Sequence, residues 1–145
     1  MANKYRKVML IVDNEVDLKI NSKIINITKL FDEIITCQSG DEGLAYLNKY
    51  QDDEKNLPDF ILLDIQMPEM DGFEFLEMFK RFPNKLKEKC LVAILSSTLD
   101  FGDIKKAEAN PYVIKLLKKP LFPKELEEVL NKYFPWPLKK KIVRF

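Results

Sequence analysis

Histidine does not occur in the 145 residues of this chain. Its absence removes the usual general base of nucleophilic triads, the imidazole ligand of many metal sites, and any role as the phosphohistidine member of a relay. Cysteine is nearly as scarce. Cys37 and Cys90 lie far apart in sequence, match no zinc or redox spacing, and sit in apolar, strand-like stretches. They read as reduced core thiols of a cytosolic protein. Only four glycines are present and none lies in the turn directly after Val12, which argues against a Gly-rich first turn cradling a nucleotide or flavin. No run approaches the ~18 consecutive apolar residues of a membrane span. The polar, basic start Met1–Lys7 leads into no signal-type apolar region, so the expectation is a chain neither secreted nor membrane-spanning. Nor is there an excess of charge. Lys+Arg number 24 against 23 Asp+Glu, and no global field recommends direct nucleic-acid binding or a membrane surface.

What the chain does contain is an alternation. Val8–Val12 is a short continuous apolar run, as in a strand buried on both faces. Val16, Ile20, Ile24 and Ile27 then recur at helical spacing, which predicts a core-facing stripe. Glu33–Cys37 reads as a second strand, and Ser39 or Asp41 as the N-cap of a helix carrying Leu44, Leu47 and Tyr50. After a charged loop over Gln51–Pro58, Phe60–Leu63 forms a buried strand that stops at Asp64. Turn chemistry over Met67–Gly72 precedes a helix whose Phe73, Leu76 and Phe79 are read as core. Leu91–Leu95 is a fourth strand, Asp100–Asn110 a helix ended by Pro111, and Val113–Leu117 a fifth strand. Pro123 opens a last helix with Leu126, Val129, Leu130 and Tyr133. Five such alternations in one domain predict an α/β fold: a five-stranded, doubly wound parallel sheet flanked by five helices.

In such sheets ligands sit beyond the carboxyl ends of the strands. Asp13, Asn14 and Glu15 follow the first strand, Asp64 the third, Ser96 and Ser97 the fourth, and Lys118 and Lys119 the fifth. Each alone is ordinary: an Asp after a strand is usually a turn former, a Ser a cap, a Lys solvated. Gathered at one sheet edge, carboxylates, a hydroxyl and an ammonium suit Mg²⁺ and a phosphoryl group.

The run Leu62–Gly72, with its Asp64, Met67, Pro68, Asp71 and Gly72, closely resembles the phosphoacceptor segment of response-regulator receiver domains (CheY-like, a flavodoxin-like fold). Leu95-Ser96-Ser97, Lys119-Pro120-Leu121 and Ile11-Val12-Asp13 resemble that family's other elements, in the right order. The resemblance spans residues 7–133 as a stand-alone receiver domain, with 134–145 a basic and apolar tail. It implies a response regulator of two-component signal transduction. Asp64 would accept a phosphoryl group from a sensor histidine kinase or phosphotransfer protein, and Mg²⁺ would be held by Asp13, Asp64 and the backbone carbonyl of Gln66, with Asn14 a further possible ligand. Lys119 would pair with a phosphoryl oxygen, and Ser96 and Leu116 would act as the switch. Output would pass by conformational change to a separate protein target, in the cytoplasm, without catalysis beyond Mg²⁺-dependent self-phosphorylation and autodephosphorylation.

Three features depart from that pattern. Asn14 stands where a second acid is usual, Leu116 where an aromatic is usual, and Ser97 where a smaller residue is often found. The alternative function motivated by Asn14 is a pseudo-receiver, an interaction module that is not phosphorylated. An aspartyl-nucleophile phosphohydrolase is disfavoured because Gln66, two residues beyond Asp64, is no acid. The tail, with Trp136, Leu138, Ile142, Val143 and Phe145 among Lys139, Lys140, Lys141 and Arg144, reads as a cover for the last helix or as a docking or self-association segment.

Overall fold

A computed structural model describes residues 6–97 and 100–133 of the chain. Five strands form one parallel sheet in the order β2-β1-β3-β4-β5: β1 (Lys7–Ile11), β2 (Glu33–Cys37), β3 (Phe60–Asp64), β4 (Leu91–Ser96) and β5 (Val113–Lys118). The intervening helices are α1 (Glu15–Thr28), α2 (Gly40–Lys49), α3 (Gly72–Phe79), α4 (Asn84–Lys89), α5 (Phe101–Ala109) and α6 (Pro123–Tyr133). The predicted doubly wound architecture is therefore present, with six helices where the sequence pattern shows five. The added one, α4, spans six residues. Only Leu86 in it is apolar and buried, so no periodic stripe advertises the helix; one side chain drawn into the core is enough to seat it.

Strand residues alternate between two cores. Met9, Ile11, Ile61, Leu63, Val92 and Ile94 pack on one face, and Val8, Leu10, Phe60, Leu62, Ala93 and Leu95 on the other. This period of two inside continuous apolar runs is the pattern of a sheet covered on both sides. The edge strand β5 is less buried, and its Lys115 faces solvent, which reconciles a charge with a strand and blunts the open edge. Ser39, not Asp41, caps α2 by accepting the Glu42 N–H.

Two expected core assignments are corrected. On α1, Leu18, Asn21 and Ile25 are buried, whereas Val16, Ile20 and Ile27 are 64%, 47% and 68% exposed and Ile24 is half-buried. The helix carries two apolar stripes, and the shorter one faces the sheet. On α3, Phe75, Leu76 and Phe79 are buried, while Phe73 sits at the rim of the core under the Lys106 ammonium, 5.4 Å from its ring centroid. Cys37 and Cys90 are buried free thiols. Burial raises the pKa of each to about 12, with Glu42 adding to the effect at Cys37, while at Cys90 Lys89 opposes it and Asp59 adds to it.

Candidate functional site

β3 is buried along its whole length, so its last residue, Asp64, is carried to the sheet edge with its carboxylate only 2% exposed as a residue. A carboxylate in that position must be compensated. Its Oδ1 accepts the Gln66 N–H at 3.0 Å and its Oδ2 accepts a hydrogen bond from Lys119 Nζ at 2.8 Å. Lys119 is delivered by the end of β5, where its own N–H bonds the Ser96 carbonyl at 2.8 Å and the following peptide bond to Pro120 is cis. Ser96, fully buried, ends β4. One sheet edge thus brings Asp64, Ser96 and Lys119 together.

Lys119 has a second partner that sequence reasoning missed. Asp17, in the first turn of α1, accepts from Nζ at 3.0 Å. Burial lowers the Lys119 pKa, but the hydrogen bonds and charges of Asp64 and Asp17 outweigh it, and the net shift is upward. No sequence signal singled Asp17 out, since an acid in the first turn of a helix is ordinarily accounted for by the helix dipole. Asn14 is exposed, and its Oδ1 caps α1 by accepting the Asp17 N–H at 3.0 Å. Asp13 is half-buried at the end of the first strand's exit. Leu116 is half-buried on β5, opposite Ile94, at the rim of one core.

The loop leaving Asp64 is held on both sides. The Ser97 hydroxyl donates to Gln66 Oε1 at 2.9 Å, joining the β3 and β4 exits. On the other side, Gly72 N–H bonds the Ile65 carbonyl at 3.1 Å. A Cβ at Gly72 would lie 2.8 Å from Ile65 Cα and 3.0 Å from the Asp64 carbonyl oxygen, so close backbone approach requires glycine there. Asp71 caps α3 in a capping box with Glu74, which fixes the helix start against this loop.

Among the described residues no group of three or more His, Cys, Asp or Glu is gathered as a metal cage. Mg²⁺ needs none: it takes one or two carboxylates and keeps several waters. Hard oxygens on Asp13 and Asp64 with the Gln66 carbonyl fit that requirement, while the Asn14 oxygen is committed to the helix.

A model of the response regulator receiver domain family matches residues 8–131. The chain belongs to this family. The receiver is similar to the crystal structure of a two-component response regulator from Cytophaga hutchinsonii, with 34% identity, a TM-score of 0.84, and coverage of 91% of this chain and 98% of that one. It is 27% identical to the polar-differentiation response regulator DivK of Brucella ovis, covering 87% of this chain and 97% of that protein. It is also 29% identical to a stretch of hybrid signal transduction histidine kinase L of Dictyostelium discoideum, spanning 88% of this chain but only 7% of the kinase. No helix among the described residues is long and apolar enough to cross a membrane.

Proposed function

We propose that this receiver, residues 7–133 with a separate tail at 134–145, is a cytoplasmic phosphoacceptor switch whose Asp64 takes a phosphoryl group from a phosphohistidine on a sensor kinase or phosphotransfer protein. The observation that carries this reading is the buried Asp64 carboxylate at a strand end with Lys119 Nζ 2.8 Å away. An Asp64 oxygen attacks phosphorus as the P–N bond breaks, the electron pair leaves with the imidazole, and the donor nitrogen regains a proton. The new acyl phosphate adds negative charge beside Asp64, where the Lys119 ammonium is already oriented. Asp13, Asp64 and the Gln66 carbonyl would hold Mg²⁺, which would supply neutralisation of the phosphoryl charge. Ser96 is the residue proposed to answer the phosphoryl group and Leu116 to repack with it, biasing a two-state equilibrium read by a separate protein. The test is intact-mass measurement after acetyl phosphate with Mg²⁺. One phosphoryl group is expected on wild type and none on Asp64→Asn; equal incorporation in both sinks the assignment.

A second reading, an unphosphorylated pseudo-receiver, is favoured by one feature: Asn14 caps α1 and contributes no carboxylate. Absence of Mg²⁺ binding in a calorimetric titration, together with no mass gain, selects it.

A further inference from the structure

Asp17 is held more firmly than an acid in a first helical turn needs to be. Its N–H is capped by Asn14 Oδ1 at 3.0 Å, and its carbonyl accepts a hydrogen bond from Asn21 Nδ2 at 2.8 Å. Asn21 and the adjoining Leu18 are buried, so the backbone at Asp17 is fixed. Its short side chain has few rotamers left, and Oδ2 meets Lys119 Nζ across 102 residues of sequence. Glu15, the other acid of that turn, is exposed and pairs with Lys19 instead, at 3.7 Å. One helical turn thus carries two carboxylates, and only Asp17 is turned to the pocket.

We propose that Asp17 is a positioning residue for phosphoryl transfer: it keeps the Lys119 ammonium in the pocket when Asp64 gives up its charge. A lysine ammonium is a point charge with three donors on a flexible stem, and one hydrogen bond does not fix it. Asp64 Oδ2 at 2.8 Å and Asp17 Oδ2 at 3.0 Å engage two of those donors. When an Asp64 oxygen bonds phosphorus and the leaving group departs with its electron pair, an acyl phosphate forms. Its charge lies on the phosphoryl oxygens, and the former carboxylate loses its hold on Lys119. Asp17 takes no part in that bond change. It remains an anion on the ammonium, so Nζ can turn from Asp64 to a phosphoryl oxygen without leaving the pocket. Asp17 also repels an incoming phosphoryl group, but its side chain is 40% exposed and solvent screens that effect, whereas its contact with Lys119 is direct. The role in transfer rests on the phosphoacceptor reading of Asp64; the anchoring of Lys119 does not.

Asp64→Asn reproduces the loss of charge without the reaction. Heteronuclear NMR of the intact chain, at mildly acidic pH and low temperature, detects ammonium groups whose hydrogens are bonded and slow to exchange, and Lys119→Met identifies the Lys119 signal. That signal is expected in wild type and in Asp64→Asn, and is expected to vanish in Asp64→Asn/Asp17→Ala. With acetyl phosphate and Mg²⁺, acetate leaving as Asp64 is phosphorylated, Asp17→Ala is expected to slow incorporation roughly tenfold, less than loss of the donor itself. Glu15→Gln, which removes the neighbouring charge, is expected to change neither readout, and circular dichroism verifies that each variant is folded. Absence of the Lys119 signal in wild type or in Asp64→Asn overturns the anchoring, as does its persistence in the double variant. Incorporation by Asp17→Ala at or above the wild-type rate overturns the positioning role, and so does an equal slowing by Glu15→Gln. A wild type that gains no phosphoryl group overturns the phosphoacceptor reading and with it the role in transfer, while the ammonium signals still decide the anchoring.

Discussion

Removing the Lys119 ammonium and removing the Asp64 carboxylate should have unequal effects on stability. The side chains of Asp64, Lys119 and Asp17 are 3%, 11% and 40% exposed. Among the described residues Asp64 forms an ion pair with Lys119, whereas Lys119 pairs with both Asp64 and Asp17. Lys119→Met therefore strands a buried carboxylate. Breaking a buried pair in this way costs about 3–5 kcal/mol, and the Gln66 N–H that remains on Oδ1, with solvent at the pocket mouth, brings the expectation to about 2–3 kcal/mol. Asp64→Asn leaves an oxygen that can still accept hydrogen bonds and leaves Lys119 with Asp17, so its expected cost is under about 1 kcal/mol. For a chain of this size the difference should appear as a Tm lower by roughly 4–12 °C for Lys119→Met. The assay is urea unfolding at neutral pH followed by far-ultraviolet circular dichroism, completed as a double-mutant cycle. Lys119→Met/Asp64→Asn should recover most of the loss, because no uncompensated carboxylate remains. The reasoning is refuted if Lys119→Met lies within about 0.5 kcal/mol of wild type, or if Asp64→Asn is the more damaging change.

Gly72→Ala should destabilise by about 1–3 kcal/mol, because backbone atoms of Ile65 and Asp64, not a flexible side chain, must move; it should also reduce acetyl phosphate incorporation, and unchanged stability would show that the approach is not tight. Cys37 and Cys90, held as thiols by pKa values of about 12, should resist a disulfide reagent in the native state and both react in urea, so prompt native labelling would contradict their burial. The raised Lys119 pKa makes its contribution complete below the unfolded lysine value of about 10.4 and lost as pH climbs through the higher folded value. Wild type should therefore lose stability relative to Lys119→Met only in strongly alkaline solution, and parallel curves throughout would count against the ion pairs.

The sheet was legible because its signal is redundant. The three central strands, β1, β3 and β4, are short apolar runs buried nearly throughout, and such a run survives any error of a residue or two. Asp64, Ser96 and Lys119 were legible for the same reason: a residue that ends a parallel strand lands on the same edge as its counterparts whatever the loops do. The local turn chemistry was legible only in part. Met67–Gly72 announced a turn, but nothing in the letters distinguishes a glycine needed for φ from one needed, as Gly72 is, for its missing Cβ. Helix α4 was illegible because a six-residue helix with one buried leucine has no period to detect.

Two of the misreadings, the α1 stripe and the overlooked Asp17, lie on α1 and have one cause. Periodicity identifies an apolar face but not which face meets the sheet; that is decided by the angle at which β1 delivers the helix. On α1 the longer stripe, Val16 to Ile27, lost to Leu18 and Ile25. The same rotation that turned the isoleucines outward placed Asp17 at the pocket, 3.0 Å from Lys119 Nζ. It also left the Asn14 oxygen capping the helix. Had the predicted stripe faced the core, Asp17, one residue beyond Val16, would be turned to another side of the helix. The unexpected carboxylate on Lys119 and the exposed apolar stripe are therefore not independent. A substitution that rotates α1, such as a charge placed at Leu18, should disturb both together.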